Sequence, residues 1–239
     1  MLSGQRIGVV IPALNEAPAI DRVLSEIPAW IDEIVVADNG SSDDTVAVSK
    51  AAGAHVVIEP KRGYGAACQK GLQALSDVEI VVFMDADYSD HASEMQSLVA
   101  PILSNAAELV IGSRVMGSAE PGALQPQQRF GNWLACRLIR HWFNVQYTDL
   151  GPYRAIRKTA LDALDMQDEA FGWTVEMQIK AAQRGLKTMD VPVSYRRRIG
   201  TSKISGTLRG SLLAGVTILA VIFRSMFVRR DHEARQKTV

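Results

Sequence analysis

The chain is short of several things, and each shortage excludes something. Among 239 residues only Cys68 and Cys136 are cysteines. Two thiols make no disulfide framework, and their scarcity suits a reducing compartment. Four histidines occur without H-x-x-x-H pairing, which argues against a histidine-built zinc centre. Aromatic residues make up 6% of the chain, and the basic C-terminal stretch has few of them, so it offers no stacking platform for nucleic acid. Long hydrophobic runs are missing too. The longest uncharged stretch of the tail, Gly210 to Phe223, would span about 21 Å as a helix, against a hydrocarbon core of about 30 Å. No secretory signal pattern opens the sequence, which passes from Met1 through Arg6 into a strand-like run. Net charge is absent as well, with 26 Lys and Arg against 26 Asp and Glu. That balance conceals segregation: residues 1–195 hold 16 basic against 24 acidic side chains, and residues 196–239 hold 10 against 2. A basic end of this kind asks for an anionic partner: substrate phosphate, acidic lipid or nucleic acid.

What is present reads as globular, with 47% hydrophobic and 22% charged residues. The length fits one large domain, or a domain with an appendage. Ile7 to Ile11, Ile31 to Ala37, His55 to Glu59, Glu79 to Met84 and Leu109 to Gly112 are short β-branched, apolar runs, expected as strands. Helical spacing covers residues 18–28, Thr45 to Ala52, Tyr64 to about Leu75, Gln128 to Phe143 and Trp173 to Arg184. Gly151 to Ile156 reads as a turn entering a strand, and Lys187 to Tyr195 as an edge strand. Strand, polar loop and helix alternate, which predicts an α/β fold with a mostly parallel sheet covered by helices on both faces. In such sheets ligands bind beyond the carboxyl ends of the strands. The unusual polar segments, Pro12 to Glu16, Asp38 to Asp43 and Asp85 to Asp87, all follow strands.

Asp85-Ala86-Asp87 is the most telling of them. Period-two alternation puts both carboxylates on one side of an extended backbone. Carboxylates this close repel unless a cation stands between them. A hard divalent ion fits, and Mg²⁺ commonly takes one or two protein carboxylates plus substrate phosphates.

Taken in order, the motifs resemble those of family-2 glycosyltransferases with the GT-A nucleotide-sugar fold, nearest the polyprenyl-phosphate (dolichyl-phosphate) hexosyltransferase branch. The resemblance covers about residues 7–206. It implies a donor site at Pro12, Ala13, Leu14, Glu16, Asp38, Asn39, Lys61, Gly65, Asp85, Ala86, Glu176, Arg197 and Lys203. Asn39 stands where the family often has Asp, and Arg62 where Asn is frequent. Asp85 and Asp87 match the D-x-D that binds Mg²⁺ or Mn²⁺, with Ser89 or Asp90 as further ligands. Thr148-Asp149 through Tyr153-Arg154-Ala155 resembles an acceptor-side segment. That puts Asp149 with Asp87 in the catalytic set, and Arg114, Arg129 and Trp173 near the acceptor. Arg196-Arg197-Arg198 through Lys203 resembles a cationic segment closing over the diphosphate.

The resemblance implies metal-dependent, inverting hexose transfer from a UDP-glucose or GDP-mannose type donor to a polyprenyl-phosphate lipid. One alternative is a hydroxyl acceptor with Asp149 as general base. Another is a sugar nucleotidyltransferase, although such enzymes usually carry a Gly-rich basic loop where this chain has Pro12 to Glu16. The expected division is a GT-A domain over 1–206 and an apolar, basic helix and tail over 207–239. Leu208 to Val228, flanked by arginines, is expected to lie on the cytoplasmic membrane surface, leaving the enzyme cytoplasmic and peripheral. Packing of that helix on the domain, or on a second copy in a homodimer, is the alternative.

Overall fold

The computed structural model describes residues 1–200 and 215–226. Lys203 and both ends of the tail helix expected over 208–228 therefore lie outside the described residues. Seven strands form one sheet in the order β3-β2-β1-β4-β6-β5-β7. They are β1 (Ile7–Ala13), β2 (Glu33–Asp38), β3 (His55–Ile58), β4 (Ile80–Phe83), β5 (Leu109–Ser113), β6 (Arg154–Arg157) and β7 (Thr188–Pro192). All pairings are parallel except those of β6, which runs antiparallel to both β4 and β5. The helices are α1 (Ala17–Ser25), α2 (Thr45–Ala51), α3 (Tyr64–Ala74), α4 (Met95–Leu103), α5 (Pro126–Phe143), α6 (Lys158–Leu164) and α7 (Trp173–Gln183).

The central strands are apolar on both sides because both faces are covered. Alternate residues enter different cores. Val10, Val81, Phe83, Leu109 and Ile111 join the core under α3, α5, α6 and α7. Val9, Ile11, Ile80, Val82 and Val110 join the core under α1 and α4. Helix α4 was not legible in the sequence. Pro101 lies inside it and forfeits one internal hydrogen bond, yet Leu98, Val99 and Ile102 are fully buried. Short α6 was also missed.

This order fixes where a site can form. The chain moves outward from β1 through β2 to β3, then returns to β4 on the other side of β1. The reversal opens a crevice between the carboxyl ends of β1 and β4. Because β6 runs the opposite way, its entry turn, residues 148–153, reaches that same edge: Arg154 registers with Phe83 and with Ile111.

The described part of the tail, 215–226, is a helix that packs on the domain. Ile222 is fully buried, Ile218 and Val221 join the core containing α5 and α7, and the Phe223 ring lies 5.1 Å from that of Trp142. Among the described residues no helix is long and apolar enough to cross a membrane.

Candidate active site

The crevice is a cleft of about 260 Å³. Pro12, Ala13, Leu14 and Glu16 line it from the end of β1, Asn39 from the end of β2, and Asp85, Ala86 and Asp87 from the end of β4. Arg62, Tyr64, Phe171 and Arg198 complete the wall. Asn39 explains its own departure from the acid common at its place. Its amide nitrogen donates to the carbonyls of Glu59 (3.0 Å) and Lys61 (2.7 Å), and its amide oxygen accepts from the Gly63 N–H (2.8 Å). A carboxylate could not donate to either carbonyl.

Negative charge is concentrated here. Burial first, then Asp87 and Asp90, push the Asp85 carboxyl well above the usual carboxylate range. Burial and Asp87 push Asp90 to about 7. The Tyr64 hydroxyl donates to Asp85 (3.3 Å). Asp87 accepts from the N–H (2.9 Å) and hydroxyl of Ser89 and meets Arg198 at 3.1 Å. Arg198 also donates to Glu16 (2.9 Å), so one guanidinium spans two acids. Repelling carboxylates at a cleft mouth fit a hard divalent cation. Among the described residues no group of three or more His, Cys, Asp and Glu could hold a metal. Asp85 and Asp87 are the pair at the end of β4 whose chemistry would fit such an ion.

Beside this cleft lies a larger cavity of about 640 Å³. Arg114, Arg129, Arg137, Arg140, Asn132, Trp133, Thr148 and Asp149 line it. Asp149 is almost fully buried. It accepts from the Arg114 backbone N–H (2.9 Å), Nε (2.8 Å) and a terminal guanidinium nitrogen (2.7 Å). Arg114 is near enough to act electrostatically on Asp85 and Asp90, which ties the two cavities together.

The model of the family "Glycosyl transferase family 2" matches residues 8–165. The chain belongs to that family. An uncharacterized glycosyltransferase of Mycobacterium tuberculosis is 38% identical over 224 residues, covering 92% of this chain and all of the relative. An undecaprenyl-phosphate mannosyltransferase of Micrococcus luteus is 28% identical over 227 residues, covering 89% of this chain and 93% of that one. Glucosyl-3-phosphoglycerate synthase from Mycobacterium tuberculosis, solved with Mn²⁺, UDP and glucosyl-3-phosphoglycerate, superposes with a TM-score of 0.75 at 24% identity. It covers 94% of this chain and 81% of its own. The fold is therefore GT-A, and the protein is a glycosyltransferase.

The glycosyltransferase does not bring every expected residue to its cleft. Arg197 points away: its Nε donates to the Pro121 carbonyl (2.6 Å) and its backbone N–H to Glu120 (2.8 Å). The neighbouring Arg198 is the member of the triplet that reaches the cleft, while Arg196 pairs with Glu26 (2.7 Å) and stacks on Tyr88. Trp173, expected near the acceptor, does not line the arginine-rich cavity. It is 1% exposed and sits edge-on to Phe83 in the core. Lys61 is exposed and paired with Glu169. Asp38 holds the following turn by accepting from the N–H groups of Gly40 and Ser41, both at 3.0 Å, outside the cleft lining.

Gly65, expected in the donor site, instead permits a close approach of backbone to backbone. A Cβ there would overlap the Asp168 carbonyl oxygen. The N–H groups of Gly65 and Ala66 already donate to the carbonyls of Ala170 and Glu169, so they do not face a phosphate. Glu176 binds backbone instead of pointing into the cleft: it accepts from the N–H groups of Gln167 and Asp168. Sequence reading passed over Tyr64 and Phe171 as cleft residues. Tyr64 lies between Gly63 and Gly65, whereas Phe171 carries no signal beyond preceding Gly172.

Proposed function

We propose that this glycosyltransferase moves a hexose, with inversion, from a nucleoside diphosphate sugar to a polyprenyl phosphate at a membrane surface. The observation that carries the acceptor half is the composition of the larger cavity. Four arginines line it beside Asp149, and on α5, which carries three of them, Phe130 and Trp133 are 62% and 55% exposed. Guanidinium groups grip phosphate, and the aromatic residues suit an apolar chain or the bilayer that holds it. The Micrococcus luteus relative, by its name, acts on undecaprenyl phosphate.

The donor would occupy the cleft between the ends of β1 and β4. Glu16 would accept from ribose or base donors there, and Arg198 would turn from its two acids toward the diphosphate. Asp85 and Asp87 would hold Mg²⁺ or Mn²⁺, which when bound supplies Lewis-acid stabilisation of the leaving diphosphate. Asp149 is poorly placed to act as a general base, because Arg114 occupies both of its oxygens. A phosphate monoester needs no base, being an anion near neutral pH. This disfavours the hydroxyl-acceptor alternative. We further propose that the exposed face of α5 meets the bilayer, with exposed Val115, which lines the same cavity, beside it.

The test is nucleoside diphosphate release from UDP- and GDP-sugars, with Mn²⁺, in the presence of polyprenyl phosphate or the corresponding polyprenol. Release stimulated by the phosphate alone is the expected result. Stimulation by the polyprenol would restore Asp149 as base.

A further inference from the structure

The loop joining α6 to α7 is exposed at Gln167, Glu169 and Ala170, yet the next residue, Phe171, lines the donor cleft. An exposed loop buries little of its own and opens readily unless something seats it. Glu176, buried in the first turn of α7, provides a seat. Its two carboxylate oxygens accept from the Gln167 N–H at 3.0 and 3.1 Å, and one of them also accepts from the Asp168 N–H at 2.7 Å. Lys180 meets the other at 2.8 Å. On the opposite side the loop lies against the start of α3. The carbonyls of Ala170 and Glu169 accept from Gly65 and Ala66, and a Cβ on Gly63 or Gly65 would collide with loop backbone. Gly172 leaves room for the Asp168 carboxylate and for Val221 of helix 215–226.

We infer that Glu176 is a positioning residue for the donor cleft, acting through residues 167–171 and not on the sugar. The inference rests on the proposal that the cleft holds the nucleoside diphosphate sugar. Both carboxylate oxygens are engaged by backbone and Lys180, so the group is committed to the loop. The seated loop in turn carries Phe171 and lies against Gly63 and Gly65, the residues on either side of Tyr64, whose hydroxyl reaches Asp85 (3.3 Å). Two walls of the cleft therefore depend on one buried carboxylate.

Glu176→Gln keeps the shape but replaces one accepting oxygen with an amide that cannot accept. The expected result is a split. The donor KM rises about tenfold, the size of a lost charge-assisted hydrogen bond, while kcat at saturating donor stays within about threefold. In the ligand-free protein, hydrogen exchange at the Gln167 and Asp168 amides speeds up. Gly65→Ala, which pushes the same loop from the other side, should produce the same split. Asp162→Ala, which breaks an exposed pair in α6, should not. Glu176→Asp, retaining both acceptors, should recover part of the loss, and it replaces the Gln variant if that one fails to fold. A fall in kcat of about 10²-fold with donor KM unchanged would overturn the inference and make Glu176 an acid–base group. Unchanged exchange at Gln167 and Asp168 in the Gln variant would also overturn it, because the loop would then be held without this carboxylate. If titration of the wild-type protein with UDP and GDP plus Mn²⁺ gave no binding, the donor reading would fall, and the exchange measurement would still judge the seat.

Discussion

The β1–β4 cleft and the arginine cavity are built differently. The cleft is made from the ends of β1, β2 and β4, strands buried on both faces, and its polar groups are tied to one another: Asn39 to two carbonyls, Asp87 to Ser89, Arg198 to two acids. The cavity is made from one face of α5 and two loops, and its arginines at 129, 137 and 140 are exposed. A cleft fixed by a sheet suits a ligand of constant shape, such as a nucleotide. A cationic helix face rimmed by aromatic residues tolerates a ligand defined only by a charged head and an apolar tail. The link between them is the Arg114–Asp149 pair, which lines the cavity at 15% and 1% side-chain exposure and whose Arg114 acts electrostatically on Asp85.

The comparison breaks most forcefully at Trp173. If this residue belongs to the core beneath both regions, Trp173→Ala should cost about 3–5 kcal/mol of stability. Denaturant unfolding would read this as a lower midpoint. A variant of normal stability with a raised acceptor KM would return Trp173 to the acceptor side. Next in size is Asp87→Ala. Transfer should fall by roughly 10²–10³-fold, typical for loss of a group that stabilises transition-state charge, with the circular dichroism spectrum unchanged. Excess chelator should have a similar effect on the wild-type protein.

Smaller effects sharpen the division. Arg137→Ala and Arg140→Ala should each raise the KM for polyprenyl phosphate by roughly tenfold at most, as exposed cations losing a phosphate contact. The donor KM should stay put, and a shift there instead would merge the two regions. The smallest effect belongs to Arg197→Ala. A surface side chain bonded to a loop carbonyl should change stability by no more than about 0.5 kcal/mol. Steady-state kinetics should match the wild type, whereas a large loss of donor affinity would put Arg197 back at the diphosphate.

The same contrast explains what could be read from the sequence. Strands β1, β2 and β4 announce themselves as apolar runs, and polar residues that follow such runs fall at one sheet edge, so the positions of Pro12 to Glu16 and Asp85 to Asp87 are legible from the sequence. The α5 helix was legible from its spacing and its arginines. What escaped depends on register and on partners far away in sequence. Arg197 and Arg198 differ only in which side of an extended segment each occupies. Glu176 looks like an acid on offer until the Gln167 and Asp168 amides are seen beside it. Gly65 reads as a donor-site glycine, because nothing local shows that residues 168–170 lie against it. Pro101 hid α4 by interrupting a pattern that tertiary burial then overrode.

The most direct test of the account follows oxygen. Polyprenyl phosphate carrying ¹⁸O in its phosphate is incubated with the full-length protein, a UDP- or GDP-sugar and Mn²⁺, and both products are weighed by mass spectrometry. If the acceptor phosphate attacks the sugar, all of the label stays in a hexosyl-phosphoryl lipid, and the released nucleoside diphosphate carries none. Nucleoside diphosphate released without any labelled hexosyl lipid, or label found in the nucleotide, would contradict the account.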